Sequence, residues 1–253
     1  MNLNLRRLLL VALLAAGLLL AGLAIMAAGQ WAGNAALAEL SRQAQGTAQL
    51  NTLALRTYLE KFRAIPRVLA DDPEVRQALQ RPQTQAPADV LNRKLERLNR
   101  DIGASVIYLL RTDGLAIAAS NWQEPISFVG QSYRFRPYFQ QAMDSGQAEY
   151  FALGTVSQEP GLYLSRRIDD ANGDTLGVIV LKMIFGPLEQ DWSRMAQPVY
   201  VTDTHGVVLI SNVPGWRFRT LAPLPDDMSR ALRASLQFGD AALQPLPLAA
   251  STP

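Results

Sequence analysis

Residues 8–28 read LLLVALLAAGLLLAGLAIMAA, a run of 21 residues without a charge. A helix of that length spans a bilayer core of about 30 Å, so the run is predicted to cross a membrane, with residues 1–7 ahead of it. Arg6 and Arg7 precede it and no charge follows closely, which predicts a cytoplasmic N-terminus and export of everything from Gly29 on. Ala27, Ala28 and Gly29 resemble a cleavage site, but the apolar core of a cleaved signal is only about 7 to 15 residues, so an uncleaved anchor is expected. Beyond Gln30, apolar positions recur at helical spacing (Leu37, Leu40, Ala44, Ala48, Leu55, Leu59, Phe62, Ile65, Leu69). They predict a long, mostly continuous helix. Such stalks commonly pair with a twin across a dimer, although the spacing equally suits packing on the chain's own domain.

The period then changes. Asp71, Asp72 and Pro73 start a short helix through Leu79, RPQTQAP at 81–87 breaks the pattern, and 88–102 form an amphipathic helix with Val90, Leu91, Leu95, Leu98 and Ile102 inward. SVIYLL and LAIAAS flank a turn at Arg111–Gly114 and predict a hairpin; AEYFALGTVS, GLYLSRRI and TLGVIVLKMI predict three more strands, with turns at Glu159–Gly161 and Asp169–Asp174. Between the two groups a helix opens at Pro137 and ends at Gly146. A helix between a hairpin and a three-strand meander is a five-stranded antiparallel, PAS-like module. After FGPLEQDW the pattern restarts: IYLLRTDGLAIAAS (107–120) aligns without gaps on VYVTDTHGVVLISN (199–212), and YRFR at 133–136 is echoed by WRFR at 216–219. A second, shorter module of related fold follows from that repeat. The fold class is therefore α+β: one transmembrane helix (8–28), a stalk helix and helical connector (29–103), a membrane-distal module (104–194), a membrane-proximal module (195–240) and a proline-rich tail (241–253).

Composition narrows the function. With 24 Lys and Arg against 22 Asp and Glu, and two of the basic residues ahead of the membrane run, the exported part is near neutral and nucleic acid is not an expected partner. The chain has no cysteine, and its one histidine, His205, lies in a turn. No nucleophile elbow, phosphate loop or zinc-protease motif occurs, and DDANGD lacks the spacing of a calcium loop, so neither catalysis, metal nor cofactor is expected.

Binding chemistry concentrates in FVGQSYRFRPYFQQA, residues 128–142, where Arg134 and Arg136 stand among Phe128, Tyr133, Phe135, Tyr138 and Phe139. A guanidinium in an aromatic setting needs an anion, because its planar fork is costly to desolvate unpaired. Arg136 just ahead of a helix N-terminus adds a second source of positive potential. Lys182 interrupts the apolar strand VIVLKMI and must either reach the edge or enter a polar cavity. The expected ligand site combines Tyr133, Arg136, Tyr138, Thr155, Ser157, Tyr163 and Lys182, with one carboxylate on Arg136 and Tyr133 and the other on Lys182, Thr155 and Ser157. Two separated cations select a diacid over a monoacid. Arg134 is expected to face solvent or the long helix. Arg219, at the echo position, has little polar company, so the second module is expected to bind nothing.

SNWQEPISFVGQSYRFRPYF, YFALGTVSQEPGLYLSRRI and GVIVLKMIFGPLEQDW together resemble the periplasmic sensor of the C4-dicarboxylate transport sensor histidine kinases, and the resemblance runs from Gln30 onward. It implies two PAS-like modules of the double-Cache type on a long helix. It also implies an inner-membrane receptor that detects succinate, fumarate or malate, pairs as a homodimer through its N-terminal helix and acts through a kinase part on a response regulator. The family's binding positions fall on Tyr133, Arg136, Thr155, Ser157 and Lys182. A second membrane helix and kinase domain are missing from these 253 residues, so the chain is expected to be the N-terminal piece of a longer receptor or a truncated product. Two other readings stay open. One is a sensor of an amino acid or another carboxylate, with Asp144 as the nearest partner for an ammonium. The other is a ligand-free dimerisation ectodomain in which Arg136 and Lys182 form internal ion pairs.

Overall fold

A computed structural model describes residues 3–80 and 85–247, and only the backbone at 3–12, 15 and 85–88. Helix α1 (Leu3–Ala70, 68 residues) contains both the predicted membrane run and the predicted stalk without a break between them. The chain divides into two units, 1–54 and 55–253. In the first, Leu18, Leu19, Leu20, Leu23 and Ile25 expose their apolar side chains, and the described helix from Ala16 is long and apolar enough to cross a membrane.

The second unit begins with the last turns of α1, whose Phe62 and Leu69 are buried. Helix α2 (Pro73–Gln80) starts at Asp72, whose Oδ1 accepts from the N–H groups of Glu74 (2.9 Å) and Val75 (3.3 Å). Lys94 of α3 (Gln85–Ile102) ties the two helices through Asp72 and Glu74. Residues 81–84 of the expected break lie outside the described residues. On α3, Leu91 and Leu95 are buried and Leu98 and Ile102 half-buried, whereas Val90 is 55% exposed. The stripe 91, 95, 98, 102 already fills one helical face, and Val90 lies one residue, about 100°, off it.

Strand β1 (Val106–Arg111) and β2 (Ala116–Ala119) form the predicted hairpin, and α4 (Pro137–Ser145) is followed by the meander β3 (Gln147–Leu153), β4 (Pro160–Asp169) and β5 (Thr175–Met183). The sheet is antiparallel in the order β2-β1-β5-β4-β3. Alternation along β1 and β5 sends Ile107, Leu109, Ile179, Leu181 and Met183 to a core shared with α1, α2 and α3. Val106, Tyr108, Leu110, Val178 and Val180 go to a second core under the aromatic segment and α4. Lys182 falls on that second face by the same parity, with Tyr163 of β4 and Val106 of β1 as its register neighbours. Strand β3 ends at Leu153, four residues short of the predicted strand. The turn before β4 runs from Gly154, whose N–H bonds to the Glu159 carbonyl at 3.0 Å.

Helix α5 (Gly186–Trp192) leads to the second module, a β6 (Tyr200–Thr202) and β7 (Val208–Ser211) hairpin with α6 (Asp226–Ala234). The hairpin repeat is structural: Gly114 and Gly206 occupy the same turn position at φ 82° and 77°, and their N–H groups close on the carbonyls of Arg111 and Asp203. The YRFR and WRFR echo is not. Leu115 bridges Ser132, immediately before YRFR, whereas Val207 bridges Thr220, immediately after WRFR. The Arg219 side chain accordingly donates to the carbonyls of Gly215 and Pro245. Residues 241–247, expected as a tail, pack instead on this module: Leu243 and Leu246 are buried, and Thr220 exchanges bonds with Gln244 and Leu246.

Candidate functional site

The aromatic segment is laid down by the first hairpin. The Tyr133 N–H bonds to the Gly114 carbonyl at 2.8 Å, and the Arg136 N–H closes a turn on the Tyr133 carbonyl at 3.0 Å. Arg136 is thereby the N-cap of α4, with Pro137 in the first turn and Gly146 closing the helix in the left-handed region. Gly114 is essential to this seating, because a Cβ there would lie 2.6 Å from the Arg134 backbone, at a φ that disfavours side chains. Gly114→Ala is expected to cost about 2–3 kcal/mol in urea unfolding, combining left-handed strain with overpacking. It should also displace Arg136, which follows in the same segment.

Arg136 is 1% exposed. Its Nη2 donates to the Leu153 carbonyl at 2.8 Å; its Nε and Nη1 have no hydrogen-bond partner among the described residues, nor does the buried Tyr133 hydroxyl. No carboxylate pairs with it among the described residues. Leu153 pairs with Pro160 at a position without ladder bonds, its N–H turned outward to the Gln237 carbonyl at 2.7 Å, so its carbonyl is left to the guanidinium. Tyr138 stacks on Tyr163 with centroids 4.6 Å apart and accepts a bond from the Tyr108 hydroxyl at 2.7 Å. Lys182 is fully buried. Its ammonium donates to Ser157 Oγ at 2.7 Å and to the Glu159 carbonyl at 2.9 Å, while the Glu159 carboxylate stands 3.9 Å away. Burial pulls the Lys182 ammonium down from 10.5 to about 8; the Glu159 carboxylate opposes that fall and the nearby Arg136 charge adds to it. Burial also raises the phenols, Tyr163 to about 12 and Tyr108, Tyr133 and Tyr138 as well. The site is a desolvated, positively charged floor lined by neutral hydroxyls, suited to an anion.

No family model matches the sequence. The chain is 51% identical over 235 residues, 93% of its length, to the C4-dicarboxylate transport sensor protein DctB of Rhizobium meliloti. It is 35% identical over 186 residues, 74% of its length, to the DctB of Pseudomonas aeruginosa. It covers 36% and 30% of those two proteins, so it spans about a third of the length of the curated relatives it matches. The sensor domain of the histidine kinase DctB of V. cholerae superposes on 81% of the chain with a TM-score of 0.76 and 34% identity, and 79% of that domain is covered. The chain belongs to the DctB sensor family.

In this DctB-family sensor the fold brings Tyr133, Arg136, Tyr138, Tyr163 and Lys182 to one face of the sheet, and Thr155 and Ser157 to the turn beside it. Thr155 is placed differently. Both it and Ser157 are expected on a strand and lie instead in the Gly154–Glu159 turn, where Ser157 meets Lys182 but Thr155 is exposed, and the Thr155 carbonyl accepts from Gln158 Nε2. Arg134 and Asp144 are exposed as well. Two residues escaped sequence reasoning. Tyr108 shows as an inward position by its parity with Val106 and Leu110, a signal available in the strand itself. Glu159 reads only as a turn residue, and nothing in the pattern places its carbonyl and carboxylate against Lys182.

Proposed function

We propose that the chain is the periplasmic ligand-binding region of a membrane receptor for C4-dicarboxylates, with one carboxylate of the ligand on Arg136 and Tyr133 and the other on Lys182. The observation that carries the reading is the buried Arg136, left with two unpartnered guanidinium nitrogens beside an unpartnered Tyr133 hydroxyl. A native fold rarely leaves such donors open without a use for them. The names of the R. meliloti and P. aeruginosa relatives supply the ligand class. Thr155 contributes on this reading only if the turn closes further over the ligand. The apolar part of α1 serves as an inner-membrane anchor and the stalk as a homodimer contact, and a kinase part passes the signal to a response regulator.

Thermal unfolding of the full chain in detergent micelles, with succinate, fumarate, malate, aspartate and acetate, tests the reading. A ligand present at 100 times its dissociation constant adds about 2.7 kcal/mol, or roughly 5–10 °C in a domain of this size. The C4 diacids are expected to raise the melting temperature and acetate to leave it unchanged. A shift by aspartate alone would move the site to amino acids, and no shift by any of them would make Arg136 a structural residue.

A further inference from the structure

We propose that Glu159 is the resident counter-ion of Lys182, and that its carboxylate restrains the affinity of the site for doubly charged ligands. The inference rests on the dicarboxylate reading above. An ammonium has three protons to donate. Lys182 gives two of them to the β3–β4 turn, at Ser157 Oγ and the Glu159 carbonyl, and the third is bonded to no acceptor among the described residues. The nearest anion is the Glu159 carboxylate at 3.9 Å, beyond hydrogen-bond reach but well within Coulomb range. Lys182 is thus compensated but not saturated.

Glu159 is held at that station by its own backbone. The Gly154 N–H bonds to the Glu159 carbonyl at 3.0 Å and the Gln158 N–H to the Gly154 carbonyl at 2.9 Å, so the turn is closed on itself and anchored on the lysine. The side chain is 48% exposed. It borders a cleft of about 200 Å³ lined by Phe151, Phe185 and Leu209, which gives the carboxylate room to swing aside. A ligand carboxylate that takes the third proton of Lys182 enters the field of Glu159 and is repelled by it. A monoanion seated on Arg136 alone stays clear of that repulsion. The charged and titratable groups facing Lys182 are Arg136 ahead of α4, Glu159 from the turn and Tyr163 from β4; β1 offers only Val106.

The test is calorimetric titration of the full chain in micelles with succinate and with monomethyl succinate, comparing wild type and Glu159→Gln. At pH 6.5 the variant is expected to bind succinate about fivefold more tightly and monomethyl succinate within twofold of wild type, the size expected for removing one half-exposed charge a few ångströms away. At pH 8.5 the advantage shrinks, because Lys182 has lost the carboxylate that helps to keep it protonated. Succinate affinity that is unchanged or weaker in Glu159→Gln, with wild type binding normally, overturns the inference and leaves the dicarboxylate site standing. If wild type binds neither compound, both readings fall. The NMR titration of the Lys182 side chain decides the counter-ion role without any ligand: Glu159→Gln must lower its midpoint, and an unmoved midpoint refutes the pairing.

Discussion

Arg136→Met is expected to unfold at a higher temperature than the wild type in the absence of ligand, and to bind no dicarboxylate. Arg136 sits at 1% exposure with one hydrogen bond, to the Leu153 carbonyl, and with Nε and Nη1 unpaired. Each unsatisfied buried polar group costs about 1–3 kcal/mol, more when it carries charge, and replacing buried ions by apolar side chains of similar volume is often stabilising by about 1–4 kcal/mol. Methionine fills the same linear volume among Tyr133, Tyr138 and Tyr163 and removes two open donors. It leaves one carbonyl, that of Leu153, short of a partner. Two unmet donors on a cation outweigh one unmet acceptor, so the net gain is set at about 1–2 kcal/mol, or roughly 3–6 °C. With succinate added the order reverses. Wild type rises while the variant stays in place, because removing one partner of a buried, bonded charge pair costs about 2–5 kcal/mol of affinity, at least 30-fold. A variant less stable than wild type without ligand would instead make Arg136 a brace for the β3 end.

Long-range burial follows period and parity. The helices were visible in apolar spacing, α4 in Pro137 and Gly146, and the sheet in apolar runs parted by turns, with Lys182 marked as a charge inside one of them. Arg136 was legible because a guanidinium among aromatic rings breaks the usual division of polar and apolar positions. The β3–β4 turn was not. GTVS reads as the end of a strand by its Thr and Val, yet the chain reverses there into β4, and the Gly154 N–H closes on the Glu159 carbonyl. Tertiary geometry overrode strand propensity there, which moved Thr155 off the expected strand and brought Glu159 to Lys182. The packing of Leu243 and Leu246 was masked in the same way, because a proline-rich stretch carries no period from which burial can be read.

Between pH 8 and about 9.5 the free protein is expected to gain stability while it loses its ligand. Lys182 titrates near 8 in the folded chain against an ordinary 10.5. Over that interval the unfolded chain therefore holds more protons at this residue than the folded one, and unfolding becomes harder as pH rises. Below pH 8 both states are protonated and the full cost of burying the ammonium is present. By 10.5 that cost is gone, a gain of at most about 3 kcal/mol. The site phenols oppose this gain from about pH 9 upward: Tyr163 is pushed up to about 12 and Tyr108, Tyr133 and Tyr138 are raised too, so the unfolded chain gives up their protons near 10 while the folded chain keeps them, and the Lys182 contribution above pH 9 is read by difference from a variant without that lysine. Ligand binding runs the other way. A second carboxylate needs the ammonium charged, so succinate affinity should fall up to about tenfold per pH unit above 8, and binding there should take up a proton. Urea unfolding with and without succinate at pH 7, 8.5 and 10 reads both slopes, and the same series on Lys182→Met subtracts every other group that titrates in alkali. The two curves should converge as pH rises in wild type, and in Lys182→Met the gap between them should be small and pH-independent. If wild type kept a constant gap up to pH 10, Lys182 would be charged throughout by its turn contacts, and the second carboxylate would have to be held elsewhere.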